Sequence, residues 1–196
     1  VQTCALPISE SWKAARQNQL SELEKYVPSR IPADSKIYDE KNHCHSLLMA
    51  AAAHGATDCA KYLLENGANP NLKNFNGFTA LHWAAFTGRT EVVPLLLDYG
   101  ADIEARIADG KTAVHIASFR GQRGFLDYIL KRNADINAVD SDGNNALCFA
   151  ALANQQATVE FLLRKGIETD QLNCEKKSLK DLAKEKCITW LTEMLD

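Results

Sequence analysis

The sequence lacks both a long apolar run and an excess of positive charge. Its most apolar stretches, residues 47–53 and 92–97, are far shorter than the roughly 18 residues that span a bilayer. The formal net charge is −3, so the chain has no surplus of positive charge to neutralise phosphates or anionic lipids. We therefore expect neither a nucleic acid nor a membrane as its partner.

Glycine and proline are also scarce, with 10 and 5 residues, and no segment has the composition of a linker or a low-complexity tail. Hydrophobic residues make up 46% of the chain, which is enough to bury a core, so we expect a folded protein. The six cysteines lack the short, regular spacings of disulfide frameworks and zinc sites. This pattern favours a reducing compartment, the cytoplasm or the nucleus.

The sequence motifs of several enzyme classes are missing as well. The chain contains no glycine-rich phosphate loop, no nucleophile elbow and no HExxH zinc motif. His43, Cys44 and His45, with His54 nearby, are metal-type ligands. Adjacent residues of an extended segment point to opposite sides, however, and cannot easily converge on one ion. We predict no catalytic residue, no cofactor and no metal ion, and hence no enzyme.

Residues 1–8 resemble the in-frame translation of a common sequencing-library adapter. We expect this segment to be an artefact, so the natural start of the protein is not visible in the sequence. The predicted domain organisation therefore begins at residue 9.

What the chain does contain is an internal repeat with a period of 33 residues. A small polar residue sets the register and recurs at Ser46, Thr79, Thr112, Asn145 and Ser178. Five residues later, alanine recurs at Ala51, Ala84, Ala117, Ala150 and Ala183. These small residues allow a first helix to pack closely on its neighbours, and pairs of larger apolar residues further along indicate a second helix.

The second helix is predicted to end at a residue in the left-handed backbone conformation. Glycine occupies three positions of this column, and Asn133, the next-best residue for that conformation, occupies the fourth. Tight turns between helix pairs are predicted by Asn-Gly and Asp-Gly dipeptides at 76–77, 109–110 and 142–143. Each repeat should therefore consist of two helices and a projecting turn, which we call a finger.

The segment Thr-Ala-Leu-His-Trp-Ala-Ala at 79–85, followed by Gly88 and by Gly-Ala-Asp at 100–102, resembles the ankyrin repeat. The resemblance implies an all-α fold, an ankyrin-repeat α-solenoid of stacked helix-turn-helix repeats with projecting β-hairpin-like fingers. Four full repeats are predicted at 40–73, 74–106, 107–139 and 140–173. An N-terminal capping repeat with a long loop is expected at 9–39, and a C-terminal capping repeat at 174–196.

The chain departs from the family pattern near its start and in one helix. Four extra residues lie around 28–37, so the first finger should be longer or irregular. In the N-terminal capping repeat, Arg16 is expected to belong to a polar outer face. Pro94 lies early in a second helix, where it is tolerable if Thr90 caps the helix start.

Two histidines, His82 and His115, occupy the same column of successive repeats, and Cys148 takes this place in the fourth repeat. An active site would need convergent partners for these rings, and the sequence offers none. The resemblance implies instead that such a histidine forms local hydrogen bonds and ties neighbouring repeats together.

The resemblance also implies where a partner protein would bind. The family turns one column of its first helices toward its concave side, seven residues after the small polar residue that sets the register. In this chain the column holds Phe86, Phe119 and Leu152. We expect Phe86 and Phe119 to form an apolar stripe, since large exposed apolar patches mark partner sites. The sequence leaves open whether Trp83 lies in the core or at the interface. The predicted partner-binding residues are Phe75, Phe78, Trp83, Phe86, Asp109, Lys111, Phe119, Arg120 and Leu152.

These features predict a monomeric adaptor or scaffold that binds another protein through its concave groove and finger tips. A different possibility is that the repeats are the recognition arm of a larger multidomain enzyme or channel. In addition, Leu130 with the Asp-Ile-Asn segment 135–137 resembles the repeat segments that asparaginyl hydroxylases modify at the position of Asn137. The partner's identity does not follow from the sequence, because one scaffold can carry unrelated binding sites.

Overall fold

The structure is a computed structural model that describes residues 5–27, 29, 31–38, 44–186 and 188–195. The chain forms two compact units, Val1–Ile107 and Ala108–Asp196. The described residues are mostly helical, and the helices follow one another in pairs. The all-α fold class predicted from the sequence is confirmed.

The first unit contains three helix pairs and one small antiparallel sheet. Its helices are α1 (Ala5–Arg16), α2 (Leu20–Leu23), α3 (Leu47–His54), α4 (Thr57–Glu65), α5 (Ala80–Thr87) and α6 (Val93–Asp98). Strands β1 (Lys36–Tyr38) and β2 (Cys44–Ser46) pair between α2 and α3, with Lys36 opposite Ser46. Helix α3 packs between α1 and α5, so the first helices of the three pairs are neighbours.

The second unit contains three further helix pairs. They are α7 (Ala113–Phe119) with α8 (Arg123–Leu130), α9 (Ala146–Leu152) with α10 (Gln156–Arg164), and α11 (Leu179–Glu185) with α12 (Thr189–Leu195). Helix α9 packs against both α7 and α11, which again places the first helices side by side. Among the described residues, no helix combines the length and the apolar character needed to cross a membrane.

The two helices of each pair contribute residues of different size to the core. The alanine column predicted for the first helices is buried, with Ala51 and Ala84 in the first unit and Ala117 and Ala150 in the second. The second helices contribute large side chains such as Leu63, Leu96, Phe125, Ile129 and Leu162, all fully buried. Each such side chain stabilises the fold by about 2 kcal/mol through removal of apolar surface from water.

The helix ends follow the sequence closely. The backbone φ angles are +86° at Gly67, +83° at Gly100, +64° at Asn133 and +80° at Gly166. The left-handed conformation predicted for this column is therefore confirmed, including its asparagine member. At the other end, the Ser46 hydroxyl accepts a hydrogen bond from the Met49 N–H at 3.2 Å and caps α3.

The helix that contains Pro94 begins differently from the prediction. Thr90 opens a short 3-10 turn, Thr90–Val92, and it is not the capping residue of α6. Helix α6 starts at Val93, which places Pro94 in its first turn. The proline is tolerated there because the N–H groups of a first turn have no intrahelical acceptor anyway. The expectation that Thr90 caps this helix was wrong.

The fingers are shorter than hairpins in most repeats. Between α4 and α5, backbone hydrogen bonds close the turn from the Asn74 N–H to the Phe78 carbonyl and from the Gly77 N–H to the Asn74 carbonyl, each at 3.0 Å. Within the described residues, regular strand pairing is confined to β1 and β2, and an isolated bridge joins Val139 and Asn145. The β-hairpin-like shape is thus most developed in the first finger, which was expected to be longer or irregular.

Successive fingers of the second unit are joined through their backbones. The Ser141 N–H donates to the Asp109 carbonyl at 3.0 Å, and the Cys174 N–H donates to the Asp142 carbonyl at 2.8 Å. Gly110 has a φ of +82°, and a Cβ atom there would lie 2.7 Å from the Ser141 nitrogen. The Asp-Gly dipeptide at this turn is therefore required by both backbone conformation and close approach.

Candidate functional site

An aromatic cluster surrounds Trp83 on α5. The centroid of the Trp83 ring system lies 4.9 Å from the His45 ring, 5.5 Å from the Phe78 ring and 5.8 Å from the Phe86 ring. His45 belongs to β2, Phe78 to the finger before α5, and Phe86 to the next turn of α5. Trp83 is half-buried in this cluster, so its ring contributes both to packing and to the surface.

A cavity of about 170 Å³ lies beside this cluster, within the first unit. We call it the Trp12–Trp83 cavity, after its two tryptophans. It is lined by Trp12 and Arg16 of α1, His45 of β2, Met49, Ala50, Ala53 and His54 of α3, and Trp83 of α5. Three first helices and a strand thus enclose a mainly apolar space that is open to solvent.

The rim of this cavity carries a positive charge. The Arg16 Nε–H donates to His54 Nε2 at 2.9 Å, and the guanidinium carbon lies 4.6 Å from the centroid of the Trp12 ring. Burial lowers the pKa of His54, and the nearby charges of Arg16 and Arg89 lower it further. The neutral imidazole therefore accepts the hydrogen bond and does not compete with Arg16 for a carboxylate.

Arg16 differs from two other cations of the first unit, which form ion pairs. Lys13 pairs with Glu10 at 2.9 Å, and the Arg89 guanidinium lies 3.9 Å from Glu91. Among the described residues, no carboxylate pairs with Arg16. The guanidinium is exposed and held by a ring and an imidazole, so it can bind an anionic group without first breaking an ion pair.

The predicted partner-binding residues of the first unit differ in exposure. Phe75, at the tip of the finger before α5, is 68% exposed. Phe78, Trp83 and Phe86 are half-buried because they pack on one another. The finger tip and the cluster at its base therefore form two different kinds of apolar surface.

In the second unit, Asp109 and Lys111 form an ion pair at the turn before α7. Burial raises the pKa of Asp109, but hydrogen bonds and the charge of Lys111 lower it more, so the net shift is downward. The Lys111 ammonium also lies 5.1 Å from the centroid of the Phe149 ring. Lys111 is thus positioned by two contacts, one to a carboxylate and one to an aromatic face.

Two large apolar side chains of the second unit are exposed at the ends of first helices. Phe119 is 48% exposed at the end of α7, and Leu152 is 43% exposed at the end of α9. Arg120 follows Phe119 and is also exposed. Phe86 belongs to the first unit and Phe119 to the second, and the predicted stripe that joins them stays a prediction.

The column histidines have structural contacts. The Thr79 N–H donates to His82 Nδ1 at 3.1 Å, so His82 Nε2 carries the proton that is donated to the Ala105 carbonyl at 3.0 Å. The Thr112 N–H donates to His115 Nδ1 at 3.0 Å in the same way, and the His115 ring meets the Phe149 ring edge-on at 5.4 Å. The predicted local hydrogen bonds are confirmed.

The metal-type ligands near residue 43 and the buried cysteines are further titratable groups. His43 lies outside the described residues, and among those that are described no group of three or more histidine, cysteine or acidic side chains could hold a metal ion. Burial raises the pKa of Cys59 to about 11, and it also raises the pKa of Cys148. Both thiols are therefore protonated near neutral pH and are poor nucleophiles.

Asn137 is the predicted hydroxylation position, and both polar atoms of its side-chain amide form hydrogen bonds. Its Nδ2 donates to Glu168 Oε1 at 3.2 Å, and its Oδ1 accepts from the Glu168 N–H at 2.9 Å. These bonds connect two turns that follow α8 and α10. Hydroxylation of this residue stays a prediction.

The sequence did not predict the cavity, and Trp83 is the one residue of its lining among the predicted partner-binding residues. Arg16 was assigned to a polar outer face, whereas the structure places it on the cavity rim beside His54. The four extra residues of the first finger concealed its position, because a shift of 37 residues aligns Arg16 with Ala53, and Ala53 aligns with Phe86. Allowing for that insertion would have placed Arg16 in the predicted partner-facing row.

The sequence matches a model of a known protein family. A family model described as ankyrin repeats (3 copies) matches residues 12–107 and again residues 104–173. A search of curated proteins found no match to the chain. The family match covers the helix pairs that build the cavity and those that expose Phe119 and Leu152.

Proposed function

This chain belongs to the ankyrin repeat family, and we propose that it is an adaptor or scaffold that binds a partner protein. Ankyrin repeats generally mediate protein–protein interactions and are typically not enzymes. The binding surface that we propose consists of the finger tips and of the row of side chains that lies seven residues after the register residues Thr79, Thr112 and Asn145. Its principal members are Phe75, Phe78, Trp83, Phe86, Asp109, Lys111, Phe119, Arg120 and Leu152.

The observation that carries this proposal is the contrast between adjacent columns of the first helices. The alanine columns of α5, α7 and α9 are buried, whereas the row that follows them holds large apolar side chains at least partly in contact with water. Exposing Phe119 and Leu152 gives no benefit to folding. Burial of such side chains in a complex would stabilise the complex, and aromatic residues are common anchors of binding energy.

A reducing compartment, the cytoplasm or the nucleus, is part of the proposal. Cys59 and Cys148 are free thiols buried in helices, and Cys174 is a free thiol at the surface. Free cysteines at ordered positions are typical of proteins that fold where thiols stay reduced.

The test is the double substitution Phe86→Ala/Phe119→Ala in the full chain. Proteins that co-purify with the wild-type chain from cells would be quantified by mass spectrometry, and the variant should lose them while it remains folded by circular dichroism. Tyr99→Ala is the matched control, because Tyr99 is 41% exposed and follows the second helix α6, outside the row and the finger tips. Retention of all partners by the double variant, or equal losses in the control, would contradict the proposed surface.

A further inference from the structure

We propose that the Trp12–Trp83 cavity binds a peptide segment of the partner in which a bulky apolar side chain lies next to a carboxylate. The inference rests on the proposed function, since it requires a protein partner. It adds a second contact point, in the first unit, and assigns a chemistry to the segment that binds there.

The size and lining of the cavity select an apolar side chain. Its volume of about 170 Å³ is close to that of apolar cavities of about 150 Å³ that accept a benzene molecule. Trp12 and Trp83 provide flat walls, and Met49 provides a side chain that adapts its shape to irregular ligands. A space of this size holds one large side chain, such as that of leucine or phenylalanine, but not a lipid chain.

The rim of the cavity selects a negative charge beside that side chain. Arg16 has no carboxylate partner among the described residues, whereas Lys13 and Arg89 already pair with acidic neighbours. The Arg16 guanidinium is oriented by its hydrogen bond to His54 and by the Trp12 ring. A planar guanidinium held in this way can donate two parallel hydrogen bonds to one carboxylate.

The number of charges distinguishes an acidic peptide from a phosphate-rich ligand. Arg16 is the one lysine or arginine among the described residues that line the cavity, and it complements a single carboxylate, while a net charge of −3 repels strongly anionic ligands. Tryptophan and arginine are also the residue types that dominate the binding energy of protein interfaces. The cavity therefore suits a short apolar-acidic segment of a protein.

The experiment is a selection of random 12-residue peptides, displayed on phage, against the immobilised full chain. We expect enrichment of peptides that carry Leu, Phe or Trp within two residues of Asp or Glu. The variant Arg16→Gln should lose the preference for the acidic residue and bind an enriched peptide at least tenfold more weakly. The matched control Arg123→Gln, an exposed arginine of the second unit, should select the same peptides as the wild type.

A second variant tests the apolar part of the site without removing core packing. Ala53→Leu adds a side chain into the cavity, so it should weaken the enriched peptides at least tenfold while the chain remains folded by circular dichroism. The indole N–H signals of a ¹⁵N-labelled chain report where the peptide binds. Those of Trp12 and Trp83 should shift, whereas that of Trp190, which donates to Asn154 at 2.7 Å, should not.

Three results would overturn the inference. They are no enrichment above background, enriched peptides without an acidic residue, and peptides that shift the Trp190 signal alone. A chain that captures partners through Phe86 and Phe119 but enriches no peptide retains the proposed function and loses the cavity site. A chain that enriches the expected peptides but shows no effect of the Phe86/Phe119 substitutions loses the proposed row and keeps the cavity site.

Discussion

The same column of the repeat produces a packed surface in the first unit and an exposed one in the second. Phe86 packs on Trp83, three residues before it in the same helix. In α7 the equivalent of Trp83 is Ile116, which is 7% exposed and buried among the helices, and Phe119 is 48% exposed. The exposure of a partner-facing residue therefore depends on the residue one helical turn earlier as well as on its own column.

The position three residues after the register residue, His82 in the first unit and Cys148 in the second, provides a second comparison. Substitution of this histidine should have the largest effect on stability. His82→Ala in the first unit removes the acceptor of the Thr79 N–H and the donor to the Ala105 carbonyl, in a fully buried position. We expect a loss of about 3 kcal/mol in the free energy of unfolding, because two buried polar groups lose their partners. Urea unfolding of the purified chain measures this loss.

Cys148→Ala is the corresponding change in the second unit and should cost only about 1 kcal/mol. There the cap does not depend on residue 148, because the Asn145 Oδ1 accepts from the Leu147 and Cys148 N–H groups. The Asn145 Nδ2 also donates to the Glu168 carbonyl at 2.9 Å. Equal losses for the two variants would show that the histidine bonds contribute little.

Substitution of an aromatic residue in each unit should have a smaller effect on the free energy of unfolding. Trp83→Ala removes a half-buried ring with three aromatic neighbours and should lower the free energy of unfolding by about 2 kcal/mol. Phe119→Ala should lower it by less than about 0.5 kcal/mol, because surface substitutions change stability little. If Phe119→Ala were the more damaging of the two in thermal melts, the contrast between packed and exposed surfaces would be wrong.

The smallest expected effect is on the pH dependence of stability, through His54. The folded chain lowers the pKa of His54 through burial and through the charges of Arg16 and Arg89, so the unfolded chain binds this proton more readily. The stability contributed by neutral His54 is present above its ordinary pKa of 6.5 and is lost as the pH falls through the lowered value. His54→Gln should flatten the pH dependence of the urea midpoint below pH 6.5. If the slope were unchanged, burial and the charges of Arg16 and Arg89 would have little effect on the pKa of His54.

Much of the fold could be predicted because its repeat is local. The left-handed conformation at Asn133 follows from the side chain and the register alone, since few other residues tolerate it. The start of α6 could not be predicted in the same way. A threonine before Pro94 is compatible with a capping residue or with a 3-10 turn, and the packing of Val92 and Val93 into the core decides between them.

The candidate site was predicted less completely than the fold. The column predicted the face of Phe119 and Leu152, because a helix fixes the face on which a residue lies, and both are exposed. Their contact with a partner stays a prediction. The Trp12–Trp83 cavity was missed because it combines residues from α1, β2, α3 and α5. Its position depends on how the four-residue insertion is accommodated between α2 and α3, which no local pattern encodes.

The sequence by itself determined the repeat, the helix pairs, the turns that need glycine or asparagine, and the row that is predicted to face a partner. These features depend on interactions between residues close together in the chain, so the 33-residue period records them. Only the tertiary structure decided that Arg16 reaches His54 and that two tryptophans enclose a space beside them. Contacts between distant residues depend on the packing of whole helices, because a side chain's neighbours across a helix interface are not its neighbours in sequence.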